Sequence, residues 1–311
     1  MKRSLLYSIV VVLFLFSCKK EHSKPKTNPD GKAYPINLNL SGFGETVTNA
    51  VNGTVRTNGL QTHSGTITDY LKILYYYVCD TNGKIVHFIT QDSTSANFGQ
   101  ISDNLPSGTY TVIILAGQTG LSTHTIDIVG NEQLDDNYIS YNGQWKDTFF
   151  NKFQLVVSGA PINQNITASR LVGQLEVNIT DAIPATAEKM EITITPEDYD
   201  FKFGPALPSN PKPVVITTTI PAAAKGTTNY KVNNIVLNTT SSFTVKIVCY
   251  GPSLSTLGTA LVTNVQCEKN RRTILSGKLF GSQNDFNVTL NTTWDPTVIT
   301  IPFSNSYDQN R

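Results

Sequence analysis

The sequence predicts an all-β chain made of two antiparallel β-sandwich domains in tandem. Strand-like segments recur about every ten residues and are separated by Gly, Pro, Asn and Asp. No long segment has the apolar periodicity of a helix. Runs of strands without intervening helices favour antiparallel sheets with Greek-key connections over a parallel sheet.

The composition is typical of an exported β protein. Charged residues make up 15% of the 311 residues, against about 25% in an average globular domain. Thr, Asn and Ser carry the solubility instead, and they suit exposed strand faces and turns. The formal net charge of +1 indicates no basic patch, so we expect no nucleic-acid partner.

Residues 1–17 are predicted to be a signal peptide. Lys2 and Arg3 form a positive start, Leu5–Phe16 is apolar, and the small Ser17 precedes Cys18. The apolar run is too short for a good transmembrane helix. Residues 18–32 are polar and Pro-containing, which predicts a flexible tether between the membrane and the first domain.

The segment Leu15–Cys18 resembles the lipobox of bacterial lipoproteins, in the relaxed form typical of Bacteroidetes. The resemblance implies that Cys18 becomes the mature N-terminus and is acylated on its sulfur and its amine. Stable anchoring requires more than one acyl chain. We therefore expect a lipid-anchored protein of the outer membrane that faces the cell surface, with simple secretion as the alternative.

The N-terminal domain, residues 33–160, is predicted to begin with a half-buried strand, because apolar residues alternate with Asn from Ile36 to Leu40. A hairpin follows, in which Leu71–Cys79 meets Lys84–Thr90 across Asn82-Gly83, a pair that supplies the positive φ angles of a tight turn. The other predicted strands are Thr109–Ala116, Thr123–Val129 and Phe149–Val157, with a long loop over Asp135–Gly143.

The C-terminal domain is predicted over residues 161–311, after a boundary at Gly159–Asn165. The four prolines of Pro205–Pro213 predict an irregular loop. The predicted strands of this domain are Leu171–Thr180, Lys189–Thr195, Val214–Ile220, Tyr230–Leu237, Phe243–Tyr250, Thr259–Cys267, Thr273–Phe280, Phe286–Leu290 and Val298–Phe303.

The sequence contains no recognisable set of catalytic residues. The four histidines lack metal-ligand spacing, and no nucleophile, phosphate-loop or zinc motif is present. We therefore expect no enzyme activity, no metal and no cofactor. The paired acids Asp135-Asp136 and Glu197-Asp198 are expected to be solvated in turns rather than to bind calcium.

Three cysteines follow Cys18, so at least one of them is free or pairs between chains. Cys79 lies in an apolar run and is expected to be a small core residue. A bond between Cys249 and Cys267 is left open, because a simple hairpin would not bring them opposite each other.

The order of several segments resembles the fimbrillin and fimbrial-anchor proteins of Bacteroidales, which build type V pili. After the lipobox come YYYVCDTNGKIV, LPSGTYTVIILAG, SRLVGQLEVNITD, EKNRRTILSGKLFG and FNVTLNTTWDP. The resemblance implies two transthyretin-like β-sandwich domains and assembly with other fimbrillin subunits by strand exchange. Physically, an open sheet edge offers unpaired N–H and C=O groups that an added strand satisfies.

The resemblance also implies that a stalk subunit loses its N-terminal segment to a protease that cuts after Arg or Lys, whereas an anchor keeps its lipid. Arg56 is the single Arg between the tether and the second domain, and nothing marks it as a processing site. We therefore favour an anchor or accessory subunit. Ile299, Ile301 and Phe303 share one face of the last predicted strand, which either completes a neighbouring subunit or closes its own sheet.

A surface glycan-binding lipoprotein of a polysaccharide uptake system is the alternative function. It has the same tether and the same sandwich architecture. Tyr75, Tyr76, Tyr77 and Trp145 would then be stacking platforms for sugars, if they are exposed. Consecutive residues of a strand point to opposite faces, so the three tyrosines are more simply explained as a mixture of core and rim residues.

Overall fold

The computed structural model describes residues 31–43, 67–124, 134, 137–280, 286–291 and 299–300. Of these residues, 63% lie in strands and 5% in helices, which confirms the all-β prediction. The predicted signal peptide, Cys18 and the tether up to residue 30 lie outside the described residues. One α-helix of four residues, α1 (Ile67–Tyr70), is described, and it directly precedes the second strand. Within the described ranges, no helix has the length and apolarity needed to cross a bilayer.

The first sandwich has two layers of four strands that face each other. One layer has the order β3-β2-β5-β8, and in the other β1 pairs with β9 on one side and with β4 and β18 on the other. Its strands are β1 (Ala33–Phe43), β2 (Ile73–Cys79), β3 (Ile85–Asp92), β4 (Gln100–Pro106), β5 (Gly108–Gly117), β8 (Thr148–Val157), β9 (Ile162–Arg170) and β18 (Ile299–Thr300).

The second sandwich packs a sheet of order β13-β10-β16-β17 against a sheet of order β15-β14-β11-β12. Two strands from the first half of the chain, β6 (Leu121–His124) and β7 (Tyr138–Tyr141), extend the latter sheet along the far end of β11. The remaining strands are β10 (Gly173–Ile179), β11 (Lys189–Lys202), β12 (Leu207–Thr219), β13 (Tyr230–Val236), β14 (Phe243–Tyr250), β15 (Thr256–Val265), β16 (Arg272–Gly277) and β17 (Phe286–Asn291).

Strand pairing crosses the boundary that the sequence predicts between residues 160 and 161. β9 follows that boundary but pairs with β1 and β8, so the chain changes sandwich between Arg170 and Gly173. The segment was not recognised as a strand because its residues 163 to 165 are all polar. The division of the chain into separately folding domains stays a prediction.

Two predicted loops contain strands. β12 begins at Leu207, inside the predicted loop Pro205–Pro213, and pairs with β11 along its whole length. Proline lacks an N–H, yet an edge strand tolerates it when its nitrogen faces away from the neighbouring strand. The loop predicted over Asp135–Gly143 contains β7, which pairs with β6 and with the far end of β11.

A third apolar cluster joins the two sandwiches. β2 and β5 bury side chains on both faces, and the face turned away from the first core packs against β7 and the far end of β11. The cluster includes Tyr75, Tyr77, Ile113, Leu115, Ile139, Trp145, Phe201 and Phe203, each at most 8% exposed.

Candidate assembly site

β1 fills a strand-shaped slot in the first sandwich. It pairs in parallel with β9 and antiparallel with β4, so Ile36 lies between Ile162 and Asp103. Its inward residues Ile36, Leu38 and Leu40 are at most 2% exposed. Removal of β1 would leave two unpaired strand edges and uncover the first core. This is the geometry that strand exchange requires, because an incoming strand satisfies both the backbone and the apolar pockets.

The last strand of the chain returns to the same sheet. In β18, Ile299 pairs with Phe43 and Thr300 with Gly42, where β4 no longer accompanies β1. The predicted C-terminal strand therefore closes a sheet of its own chain, and that sheet belongs to the first sandwich rather than the second. Ile301 and Phe303, the other members of the predicted exchange face, lie outside the described residues.

A polar link connects the two layers of the first sandwich. Asp103 of β4 contacts His87 Nδ1 of β3 at 2.7 Å, and its second oxygen accepts a hydrogen bond from Tyr76 Oη at 3.2 Å. Burial and the neighbouring carboxylate raise the pKa of Tyr76, so its hydroxyl stays a donor. The His87 side chain is 40% exposed, and β3 is an edge strand of its sheet.

The aromatic residues proposed as sugar platforms are buried. Tyr75 is 8%, Tyr76 0%, Tyr77 1% and Trp145 4% exposed. Tyr76 belongs to the first core, and the other three belong to the cluster between the sandwiches. The glycan hypothesis is therefore wrong about these side chains, because both faces of β2 are covered.

The pair Glu197-Asp198 is buried, and the prediction of a solvated turn is wrong. The two residues lie within β11, whose far end is covered by β7 and by the segment after β13. Glu197 is 3% exposed, and its Oε1 accepts hydrogen bonds from the backbone N–H groups of Leu237 at 2.6 Å and Asn238 at 3.1 Å. Desolvation outweighs these bonds and raises the pKa of Glu197 to about 8.

No metal site is found in the described part of the chain, where no group of three His, Cys, Asp or Glu side chains is positioned to hold an ion. The other acidic pair, Asp135-Asp136, lies outside that part.

All three cysteines that follow Cys18 are free and buried. Cys79 is a core residue, as predicted, and the bond left open between Cys249 and Cys267 is absent. Desolvation raises the thiol pKa to about 12 for Cys79, about 11 for Cys249 and about 12 for Cys267. Protonated buried thiols are poor nucleophiles, so these side chains act as packing residues.

Arg170 links the two sandwiches at the end of β9. Its guanidinium donates to both carboxylate oxygens of Asp147, at 2.6 and 2.8 Å, and to Asn270 Oδ1 of the second sandwich at 2.6 Å. It also lies over the ring of Phe149, 5.1 Å from the centroid. Gly173 lies close to the same contact, and a side chain there would clash, because a Cβ would be 2.7 Å from the carbonyl oxygen of Glu268. The sequence alone did not identify this site.

A comparison with family models decides the relationship. Residues 46–302 match the family of fimbrillin-A associated anchor proteins Mfa1 and Mfa2. The chain belongs to this family. The predicted resemblance to fimbrial anchor proteins is thus confirmed over most of the chain, including every strand of the two sandwiches except β1.

Several solved structures share this fold. One is a Bacteroides thetaiotaomicron protein provisionally assigned to polysaccharide binding, with a TM-score of 0.53, 10% identity, and coverage of 83% of this chain and 98% of that one. A second is a provisional adhesin from the same species, with a TM-score of 0.51, 10% identity, and coverage of 84% and 98%.

The fimbrial anchor protein Mfa2 from Porphyromonas gingivalis is also similar, with a TM-score of 0.49, 11% identity, and coverage of 84% of this chain and 100% of that one. No curated protein matches this member of the anchor family in sequence.

Proposed function

We propose that this protein is a fimbrial anchor subunit, held in the outer membrane by lipid on Cys18, and that it joins other fimbrillin subunits by strand exchange. Membership of the anchor family supports a fimbrial role and a place in the cell envelope. The lipobox-like segment that ends at Cys18 supports the lipid anchor. The protein acts through binding in this proposal, without catalysis or a cofactor.

The position of β1 links retention of the lipid to closure of the first sandwich. Arg56 follows β1 in the chain, so a cut after Arg56 would separate the lipid and β1 from the rest of the protein. A chain that keeps its lipid therefore keeps β1, and its own slot stays closed. Such a subunit does not accept a strand in that slot and suits the base of a fibre, where one side must end on the membrane.

The N-terminus of the assembled protein tests this proposal. We would express the chain with a C-terminal tag in a Bacteroidetes host, as wild type and as Cys18→Ala, and would isolate both from membranes and from pili. We expect the wild type in membranes, with a mass that corresponds to a lipidated N-terminus at Cys18, together with other fimbrillins. We expect Cys18→Ala to be lost from membranes.

Two outcomes would contradict the proposal. An assembled wild-type chain that begins at Thr57 would identify a processed stalk subunit. A lipidated chain that captures outer-membrane transporter components, and no fimbrillin, would favour polysaccharide uptake.

A further inference from the structure

A ladder of side-chain amides crosses the outer face of the first sandwich. Asn37 Nδ2 donates to Asn163 Oδ1 at 2.9 Å, and Asn39 Nδ2 donates to Asn165 Oδ1 at 3.2 Å. The ladder forms because β1 and β9 run parallel in register, with Asn37 beside Asn163 and Asn39 beside Asn165. Ser102 of β4 donates to Asn37 Oδ1 at 3.1 Å and begins the row. Stacked amides of this kind stabilise neighbouring strands.

The amide ladder ends at β9 with two hydrogen-bond donors that are not used within the described residues. Since the amide oxygens of Asn163 and Asn165 face β1, their Nδ2 groups point away from β1, towards the far edge of β9. Among the described residues, neither Nδ2 group has a hydrogen-bond partner, and both side chains are exposed. The two amide donors therefore lie two residues apart on the same face of β9, along one edge of the strand.

The backbone of this edge is open as well. In the described chain, the pairing of β8 with β9 is limited to Phe149 with Arg170 and Phe150 with Ser169, after which the two strands separate into different layers. Asn151 Nδ2 donates across the split to the carbonyl of Thr167 at 2.7 Å. Because successive residues direct their backbone groups to opposite sides, Asn163 and Asn165 share the outward direction of Thr167.

The edge lacks the usual protection against strand addition. Ile162–Ser169 contains no charged residue and no proline, whereas the edge strand β12 carries Pro208, Pro211 and Pro213. Natural proteins block open edges with such residues, since an unprotected edge pairs with other chains. Val156, across the split on β8, is 59% exposed and adds apolar surface beside the edge.

We infer that the open edge of β9 binds an extended segment of another fimbrillin subunit with Asn, Ser or Thr at two alternate positions. The side-chain oxygens of that segment accept hydrogen bonds from Asn163 and Asn165 and continue the ladder. This inference rests on the proposed function and adds a second contact, distinct from the slot of β1. A second copy of β9 does not fit, because both edges would present donors to each other.

Peptide binding to the purified full chain tests the inference. The probe, called the asparagine peptide, is a synthetic peptide of residues 33–43, a segment that already pairs with β9. The side-chain amides of its Asn37 and Asn39 are N,N-dimethylated, so they accept hydrogen bonds but cannot donate to an aspartate. Its counterpart has Asn37→Val and Asn39→Val. The chain is compared with Asn163→Asp/Asn165→Asp, which still accepts from Asn37 and Asn39 but presents oxygens at the open edge. The control Asn97→Asp/Asn104→Asp adds the same charge at exposed positions outside β9.

We expect the asparagine peptide to bind the wild type and the control at least about tenfold more tightly than the double aspartate variant, because two hydrogen bonds are lost. The valine peptide should bind the wild type about tenfold more weakly than the asparagine peptide. A peptide that replaced β1 in its slot would bind the aspartate variant equally well and would overturn the inference.

Two further readouts separate the possible failures. Equal or absent peptide binding, with fimbrillins still captured by the wild type from membranes, overturns the β9 contact and leaves the anchor function standing. Loss of fimbrillin capture by the wild type overturns the anchor function itself. Concentration-dependent dimers of the wild type, abolished in the double aspartate variant, would assign the edge to a second copy and also overturn the inference.

Discussion

Burial of the Glu197 side chain destabilises the ionised form of its carboxyl group. Its Oε1 satisfies two backbone N–H groups at the end of β13, but its Oε2 is buried without a partner in the described structure. An ionised carboxylate in that position lacks solvent on one oxygen, which is why its pKa rises to about 8. The protonation of Glu197 should therefore make the stability of the fold depend on pH.

We predict that the free energy of unfolding falls as the pH rises from about 4.5 to about 8. In this window the unfolded chain releases the proton of Glu197 while the folded chain retains it, so rising pH favours the unfolded state. In Glu197→Gln, the free energy of unfolding should no longer fall by the amount, on the order of a few kcal/mol, that the titration of Glu197 costs the wild type. Urea denaturation at several pH values measures the slope. The control Glu191→Gln changes a carboxyl group on the same strand that is 25% exposed. It retains Glu197 and should keep the wild-type slope.

The contacts of Arg170 require the planar guanidinium group of arginine. We predict that Arg170→Lys lowers the unfolding free energy by about 1–3 kcal/mol, because an ammonium group cannot hold Asp147 through two parallel bonds and reach Asn270 as well. Urea denaturation again provides the measurement. Arg271→Lys is the control, since Arg271 pairs with the half-exposed Glu268; equal losses in both variants would contradict a special role for Arg170.

Strand β12 is an element whose prolines act as edge protection. We predict that Pro211→Thr/Pro213→Thr leaves the fold intact but promotes self-association, because the variant restores free N–H groups on an exposed edge beside Val215, which is 56% exposed. Size-exclusion chromatography over a range of concentrations measures this. Pro252→Ser, in an exposed turn, is the control; a variant that stays monomeric at all concentrations would refute the protective role.

Sequence patterns predicted the elements that carry their own signals. The hairpin of β2 and β3 was recognisable from apolar runs on both sides of Asn82-Gly83, and Gly83 has the expected positive φ of 80°. The slot of β1 was visible in part, since its inward residues alternate. In contrast, β9 and the first half of β12 were missed. β9 is stabilised by β1, far away along the chain. β12 pairs with the preceding strand β11, but its prolines concealed the strand signal before Val214.

For the site residues as well, the sequence predicts local motifs but not contacts between residues that are distant along the chain. The lipobox-like Cys18 and the motif order are local signals, and the family match agrees with the latter. The amide ladder depends on the parallel register of two strands more than 120 residues apart, as the separation of 126 residues between Asn37 and Asn163 shows. Likewise, Arg170 and Asn270 are 100 residues apart. Spacing along the chain does not reveal such contacts.

At the scale of the whole molecule, the two sandwiches share side chains that neither buries alone. Tyr77 of β2 packs 5.3 Å from the ring of Phe203, which follows the end of β11, and Phe150 of β8 packs 5.0 Å from Phe201. Phe203 is 0% exposed. In the proposed anchor function, load on one sandwich would reach the other through these apolar contacts.

We predict that the wild type unfolds in one calorimetric transition and that Phe203→Ala splits it into two. The truncation should cost about 3–5 kcal/mol and falls on the contact between the sandwiches, so each sandwich loses the support of the other. Phe243→Ala removes the same group from the core of the second sandwich, where Phe243 is 2% exposed. It should destabilise that sandwich without separating the transitions. A single transition in Phe203→Ala would mean that Arg170 and its partners couple the halves instead.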